Sequence, residues 1–225
     1  MSVDFSVPPY AYSGRVYGSI LNHQTSIDAL GDKMFDVPYK NPPSAPILYV
    51  KPRNTLARSG SVMVVPSTHD VLQINGCLGL VIGETASRVT RTSAISHLAG
   101  YTAVIDVSVP HQNFYRPSVR FKALDGSCVV GELRQRDDIS DPNKLLIKVA
   151  IDGDIQQEVS LGACVRDVEQ LLVDVTEFMT LQPGDILLTG LSVGAPEVKR
   201  DQIASISISG IGDVSVGFDS ERDNA

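Results

Sequence analysis

Residues 203–218 read IASISISGIGDVSVGF, and this stretch decides the fold. Ile206 and Ile208 alternate with Ser205 and Ser207, Gly210-Ile211-Gly212 interrupts the run, and Val214, Val216 and Phe218 resume it. Apolar residues at every second position around a glycine turn predict an antiparallel strand pair with one buried face. Upstream, residues 145–151 and 156–159 flank Asp152-Gly153-Asp154. Asp-Gly between two apolar runs predicts a hairpin. Between these pairs, Val165, Val168, Leu171, Leu172, Val175, Phe178 and Met179 recur at three- and four-residue spacing, the pattern of an amphipathic helix. Pro183-Gly184-Asp185 then turns the chain into a strand over 186–189.

The first half repeats the strand theme. Strands are predicted over 14–21, 47–50, 62–65, 78–83 and 101–109. The 78–83 run (LGLVIG) is apolar almost throughout, so it is expected to be covered on both faces. A short helix is expected near 27–30, capped by Thr25 or Ser26 and ended by Gly31, and another over 92–100 (TSAISHLAG), with Thr92 at its start and Gly100 just past its end. Residues 33–46 carry Pro38, Pro42, Pro43 and Pro46 and read as a loop or flap. Residues 1–12, with Pro8-Pro9, read as an arm laid on the surface. Many short strands, three helices and no strand–helix–strand rhythm point to a β-rich α+β fold, a mixed roll or sandwich with a few peripheral helices. No repeat or linker divides the chain, so one domain is expected over 1–225.

Lys plus Arg number 19 against 26 Asp plus Glu, a formal charge of −7, and no basic block stands out. That balance argues against nucleic acid as a partner. The three cysteines, Cys77, Cys128 and Cys164, are odd in number and far apart, which is no disulfide framework. No apolar run approaches the roughly 18 residues of a membrane span, and no leader is evident, so a cytoplasmic protein is expected.

Zinc-type Cys/His spacing, a glycine-rich phosphate loop and Gly-x-Ser-x-Gly are all missing from the sequence. What stands out is polar residues at the ends of apolar strands. Lys51 and Arg53 follow the 47–50 strand, and Asp106 interrupts an apolar one between Ile105 and Val107. A carboxylate inside a core strand is costly unless it is paired or metal-bound, so Asp106 reads as a structural ion pair or as a site. Arg116, Arg120 and Lys122, interleaved with Phe114, Tyr115 and Phe121, read as a solvated loop face or as a pocket for carboxylates. His23, beside Asn22 at a strand end, and His111, after Pro110, are the histidines placed for proton transfer. His69 and His97 read as surface or packing residues, and the cysteines as inert thiols.

The order of segments resembles the fumarylacetoacetate hydrolase family. The resemblance runs through Leu21-Asn22, ILYVKP at 47–52, the 78–83 run, Gly100-Tyr101-Thr102, Ile105-Asp106-Val107-Ser108 and Phe121-Lys122. It continues through MTLQPGDILLTG at 179–190 and ISISGIG at 206–212. The resemblance implies the family's fold and enzymes that cleave or rearrange dicarbonyl acids, with Mg²⁺ or Mn²⁺ on a Glu-x-Glu pair and an Asp. Asp106 matches that Asp, Lys122 the Lys beside the metal, and Asn22 the Asn of the first strand end. The two Glu positions fall at Asn75 and Cys77, so the ligand set is incomplete and no metal is expected on Asn75, Cys77 and Asp106. The lid-helix His and its Glu partner fall at Ser26 and Ala29, and the substrate-contacting Thr falls at Leu191.

Within the family the pattern is similar to the N-terminal half of bifunctional isomerase/decarboxylases of homoprotocatechuate (4-hydroxyphenylacetate) breakdown, through Asn22-His23, KPRNT at 51–55 and FYRP at 114–117. That half also lacks the acidic pair. The resemblance implies decarboxylation or enol–keto tautomerisation of an unsaturated 2-oxo dicarboxylate or tricarboxylate. Lys122, Asp106 and His23 would be catalytic, and Arg53, Arg116, Arg120 and Asn22 would bind substrate. The alternatives are a non-catalytic partner of a metal-bearing paralogue, or a fumarylacetoacetate- or acylpyruvate-type hydrolase. A homodimer, or a heteromer with that paralogue, is expected.

Overall fold

The structure, a computed structural model, describes residues 15–38, 40–111 and 119–220. The predicted arm at 1–12 and residues Phe114, Tyr115 and Arg116 lie outside them. Fourteen strands among the described residues form two mixed sheets. The strands are β1 (Val16–Ile20), β2 (Ile47–Lys51), β3 (Leu56–Arg58), β4 (Ser61–Val65), β5 (Leu72–Ile82), β6 (Leu98–Ser108), β7 (Cys128–Val130), β8 (Arg134–Gln135), β9 (Leu146–Ile151), β10 (Asp154–Ser160), β11 (Ile186–Leu188), β12 (Glu197–Val198), β13 (Ile203–Ile208) and β14 (Gly212–Ser220). Three α-helices accompany them: α1 (Gln24–Leu30), α2 (Val119–Lys122) and α3 (Val168–Phe178).

The larger sheet runs β2-β1-β11-β5-β6-β7-β3, with β12 on β5 and β8 on β6; the smaller runs β10-β9-β13-β14-β4. The alternating tail forms β13 and β14, paired antiparallel from Ile203↔Gly217 to Ile208↔Gly212. The Asp-Gly hairpin is β9–β10, and Asp152 and Gly153 both take positive φ, 51° and 90°. Positive φ at both central residues is the turn whose twist matches paired strands, and it favours Asp-Gly at this point.

Ile74, Leu78, Leu80, Ile105 and Val107 on one face of the larger sheet bury against Ile147, Val149, Ile206 and Val216 of the smaller. The apolar stripe of α3, Val168, Leu171, Leu172 and Val175, closes the same core. On the other face, Val16, Tyr49, Cys77, Val81, Val104, Cys128, Ile186 and Leu188 form a second core. The β5 and β6 strands are thus covered on both sides, as their unbroken apolar composition requires.

Two expectations are corrected. Residues 92–100 are not a helix: a 3-10 turn spans Ala94–His97 and β6 begins at Leu98. Leu98 pairs with Ile82, and Gly100 with Val81, so the long β5–β6 ladder claims the segment. That ladder outweighs the weak local helix preference of a nine-residue stretch. The third helix is instead the short α2. The start of α1 is capped by His23, whose side chain accepts from Thr25 N, rather than by Thr25 or Ser26; Gly31 ends it as expected, with φ 48°.

Asp167 caps α3 by accepting from Gln170 N at 2.9 Å, and Arg91 pairs with the same carboxylate. Asp167→Ala is expected to lower stability by about 1 kcal/mol, the cost of an N-cap. A urea titration with an unchanged slope and a lower midpoint checks it.

Candidate active site

Strand register assembles the site. Asn75 pairs with Asp106 and Gln73 with Ser108 across β5 and β6, so these four side chains share one face at the end of the ladder. Tyr49 and Lys51, two residues apart on β2, meet the same face. Lys122, at the end of α2, comes from the third side. Asp106 and Lys51 are fully buried and Lys122 is 2% exposed.

Asp106 accepts from Tyr49 Oη and from Lys122 Nζ at 3.0 Å on Oδ2, while Lys51 Nζ lies 2.6 Å from Oδ1. Lys51 Nζ also donates to the carbonyls of Val107 (2.8 Å), Lys122 (2.7 Å) and Ser127 (3.0 Å). These bonds supply what an ammonium needs when it leaves water. Lys122 Nζ stands 4.4 Å above the Tyr49 ring. A methyl group at Gly18 would overlap that ring, so glycine there makes room for it.

Burial pushes the Asp106 carboxyl up, but the Lys122 and Lys51 ammoniums and their hydrogen bonds outweigh it and hold it below the usual carboxylate range. Burial lowers Lys51, against the pull of Asp106. Burial and the nearby Asp106 charge raise the Tyr49 phenol well above 10, so it is a neutral donor. The same two causes raise the Cys77 thiol well above its usual value, and burial pushes Cys128 up to about 12.

Beside this cluster is a cavity of about 460 Å³. Lys122, Asn75, Gln73, Ser108 and His111 line its polar side; Ile20, Leu21, Ala29, Leu30, Leu191 and Val193 line the apolar one. No Asp or Glu is among its lining residues that the structure describes, and Lys33 adds a second ammonium. Ser26 Oγ, on α1, donates to Leu191 O at 3.0 Å, tying two walls together.

Of the residues singled out in the sequence, Lys122 and Asp106 come together, with Asn75 at the cavity wall. Cys77 is buried with Sγ 3.4 Å from Gly190 O. Asn22 is a latch: its amide donates to Thr189 O (2.7 Å) and Arg166 O (3.0 Å), and its Oδ1 accepts from Arg166 N. His23 has Nδ1 on Thr25, at the start of α1, and Nε2 3.2 Å from Ser160 O, at the end of β10, and does not line the cavity. Arg53 and Arg120 are exposed and do not line it either, and Arg116 lies outside the described residues. His111 does line it, with Nδ1 3.0 Å from Val109 O and its ring stacked on Phe121 at 4.9 Å. Tyr49 escaped the sequence reading. Its signal was a tyrosine and a lysine alternating on one face of a buried strand.

The donor set does not fit a hard dication. Mg²⁺ and Mn²⁺ take anionic or carbonyl oxygen. Here the single carboxylate already faces two ammoniums and a phenol, Cys77 is a neutral thiol, and Asn75 offers only an amide. No group of three His, Cys, Asp or Glu side chains gathers among the described residues.

The chain is 36% identical over 177 residues to the 4-hydroxyphenylacetate degradation bifunctional isomerase/decarboxylase of Salmonella dublin, which covers 79% of this chain. The chain spans 40% of that relative's length. Its fold matches the 5-carboxymethyl-2-hydroxymuconate delta-isomerase of Mycobacterium smegmatis with a TM-score of 0.79, at 24% identity, over 93% of this chain and 80% of that one. It also matches the fumarylpyruvate hydrolase of Pseudomonas aeruginosa, solved in complex with Mn²⁺ and pyruvate, with a TM-score of 0.78, at 24% identity, over 92% and 90% of the two chains. No described helix is long and apolar enough to cross a membrane. Residues 15–217 match the model of the fumarylacetoacetate (FAA) hydrolase C-terminal domain, and the chain therefore belongs to the fumarylacetoacetate hydrolase family.

Proposed function

We propose that this chain is an isomerase or decarboxylase of an unsaturated 2-oxo dicarboxylate or tricarboxylate, acting in the breakdown of an aromatic acid such as 4-hydroxyphenylacetate. The observation that carries the reading is the Lys122 ammonium, 2% exposed, at the wall of a cavity with no acid among its described lining residues. A fixed cation in a site sheltered from water stabilises the oxyanion that forms when a 2-oxo acid enolises or loses CO₂. In enol–keto tautomerisation a base takes the proton of the enol hydroxyl, and a proton is delivered to a carbon further along the conjugated chain as the ketone forms. His111, an imidazole at the cavity wall with Nδ1 3.0 Å from Val109 O, is the residue type suited to this transfer. The apolar wall of Ile20, Leu30, Leu191 and Val193 suits the hydrocarbon middle of such a substrate.

A second reading rests on the missing donors and on length. The chain corresponds to two-fifths of its bifunctional relative, so it is also suited to pack as a homodimer or beside a metal-bearing paralogue that does the chemistry. One assay separates the two. The chain is incubated with 2-hydroxyhepta-2,4-diene-1,7-dioate, the enol of an unsaturated 2-oxo dicarboxylate, alone and with a metal-bearing homologous chain, each with and without EDTA. Activity of the chain alone that survives chelation is expected; activity only in the mixture, abolished by EDTA, would establish the partner role instead.

A further inference from the structure

The fumarylpyruvate hydrolase that shares this fold was solved with Mn²⁺; here Asp106, the acid that the family resemblance gives to a metal, is met by side chains of the chain itself. Lys51 and Lys122 bring two positive charges to the one negative charge of Asp106, and all three are at least 98% buried. Tyr49 Oη donates to Oδ2, the carboxylate oxygen that also accepts from Lys122. A buried cluster with formal charge +1 attracts an anion and repels a metal ion. Asn75 and Ser108 stand on the same sheet face as Asp106, beside Lys122, and can donate to the same guest.

We propose that the former metal centre is a metal-independent carboxylate site, in which the Lys122 ammonium, with Asn75 and Ser108, grips the carboxylate of a 2-oxo acid directly. Asp106, Lys51 and Tyr49 are positioning residues: they hold Lys122 in place and close the acid to cations. The proposal builds on the function above by naming how its ligand is held, but binding is measured without turnover, so the two can fail separately.

The probe is pyruvate, titrated calorimetrically into the full chain in EDTA, with neutral pyruvamide as control. Pyruvate is expected to bind in EDTA, with an isotherm unchanged by added Mn²⁺, and pyruvamide is expected not to bind. Lys122→Met is expected to weaken binding about 10–100-fold, the worth of a charge-assisted hydrogen bond, while Lys122→Arg stays closer to wild type. Asn75→Asp, which removes a donor to the guest, is expected to weaken it about tenfold or more by placing a second carboxylate there. Binding that requires Mn²⁺, or equal binding by wild type, Lys122→Met and Asn75→Asp, would overturn the proposal. Binding as described without turnover of the diene dioate would leave it standing and remove only the enzymatic reading.

Discussion

Asp106→Asn is expected to lower stability by about 3–5 kcal/mol, because it leaves two buried ammoniums with no counter-charge. Lys51 is fully enclosed and cannot swing out to water, and its carbonyl partners at Val107, Lys122 and Ser127 carry only partial charge. A loss of this size is a large share of the stability of an ordinary domain. The urea midpoint of the variant reports it, and a variant within about 0.5 kcal/mol of wild type, the range of neutral surface changes, would refute this account of the cluster. The same pairing sets an acid limit. The folded Asp106 carboxyl lies below its unfolded value, so its contribution is fully present above about pH 4 and is lost as pH falls through the folded value. Wild-type urea midpoints should therefore hold near neutrality and drop below about pH 4.

Lys122→Ala is the second large effect. Turnover of the diene dioate is expected to fall about 10²–10³-fold, the cost of removing one oxyanion-stabilising donor. Stability should suffer far less than in Asp106→Asn, since Asp106 keeps Lys51 and the Tyr49 hydroxyl. Loss of activity without loss of the folded state, read by circular dichroism alongside the assay, separates chemistry from scaffolding. A variant that turns over at the wild-type rate would show that Lys122 only fills space.

The strand pairs announced themselves because each carries its own signal. Asp152-Gly153 names its turn, and the serines of β13 alternate with isoleucines that bury against the other sheet. The helix expected over 92–100 failed for a reason invisible locally: Leu98 and Gly100 are claimed by residues 81–82, far along the chain. In the site, Asp106 was legible as an acid where a core strand should have none, and Lys122 through the family pattern. Its surroundings were not, since Lys51 and Tyr49 reach Asp106 across 55 and 57 positions, from a strand that three others separate from β6 in the sheet order. His23 misled because the end of a strand is also the start of a helix, where an imidazole can serve as a cap.

The cluster also has a bearing on how the chain finds its native pairing. Sliding β2 by one residue along β1 would turn Tyr49 and Lys51 outward and replace them with Val50, which takes two of the partners of Asp106 away and leaves it Lys122. Every misaligned arrangement of this edge therefore carries an electrostatic penalty that the correct one escapes, and four side chains drawn from distant segments act as a proofreader of the sheet before any ligand arrives.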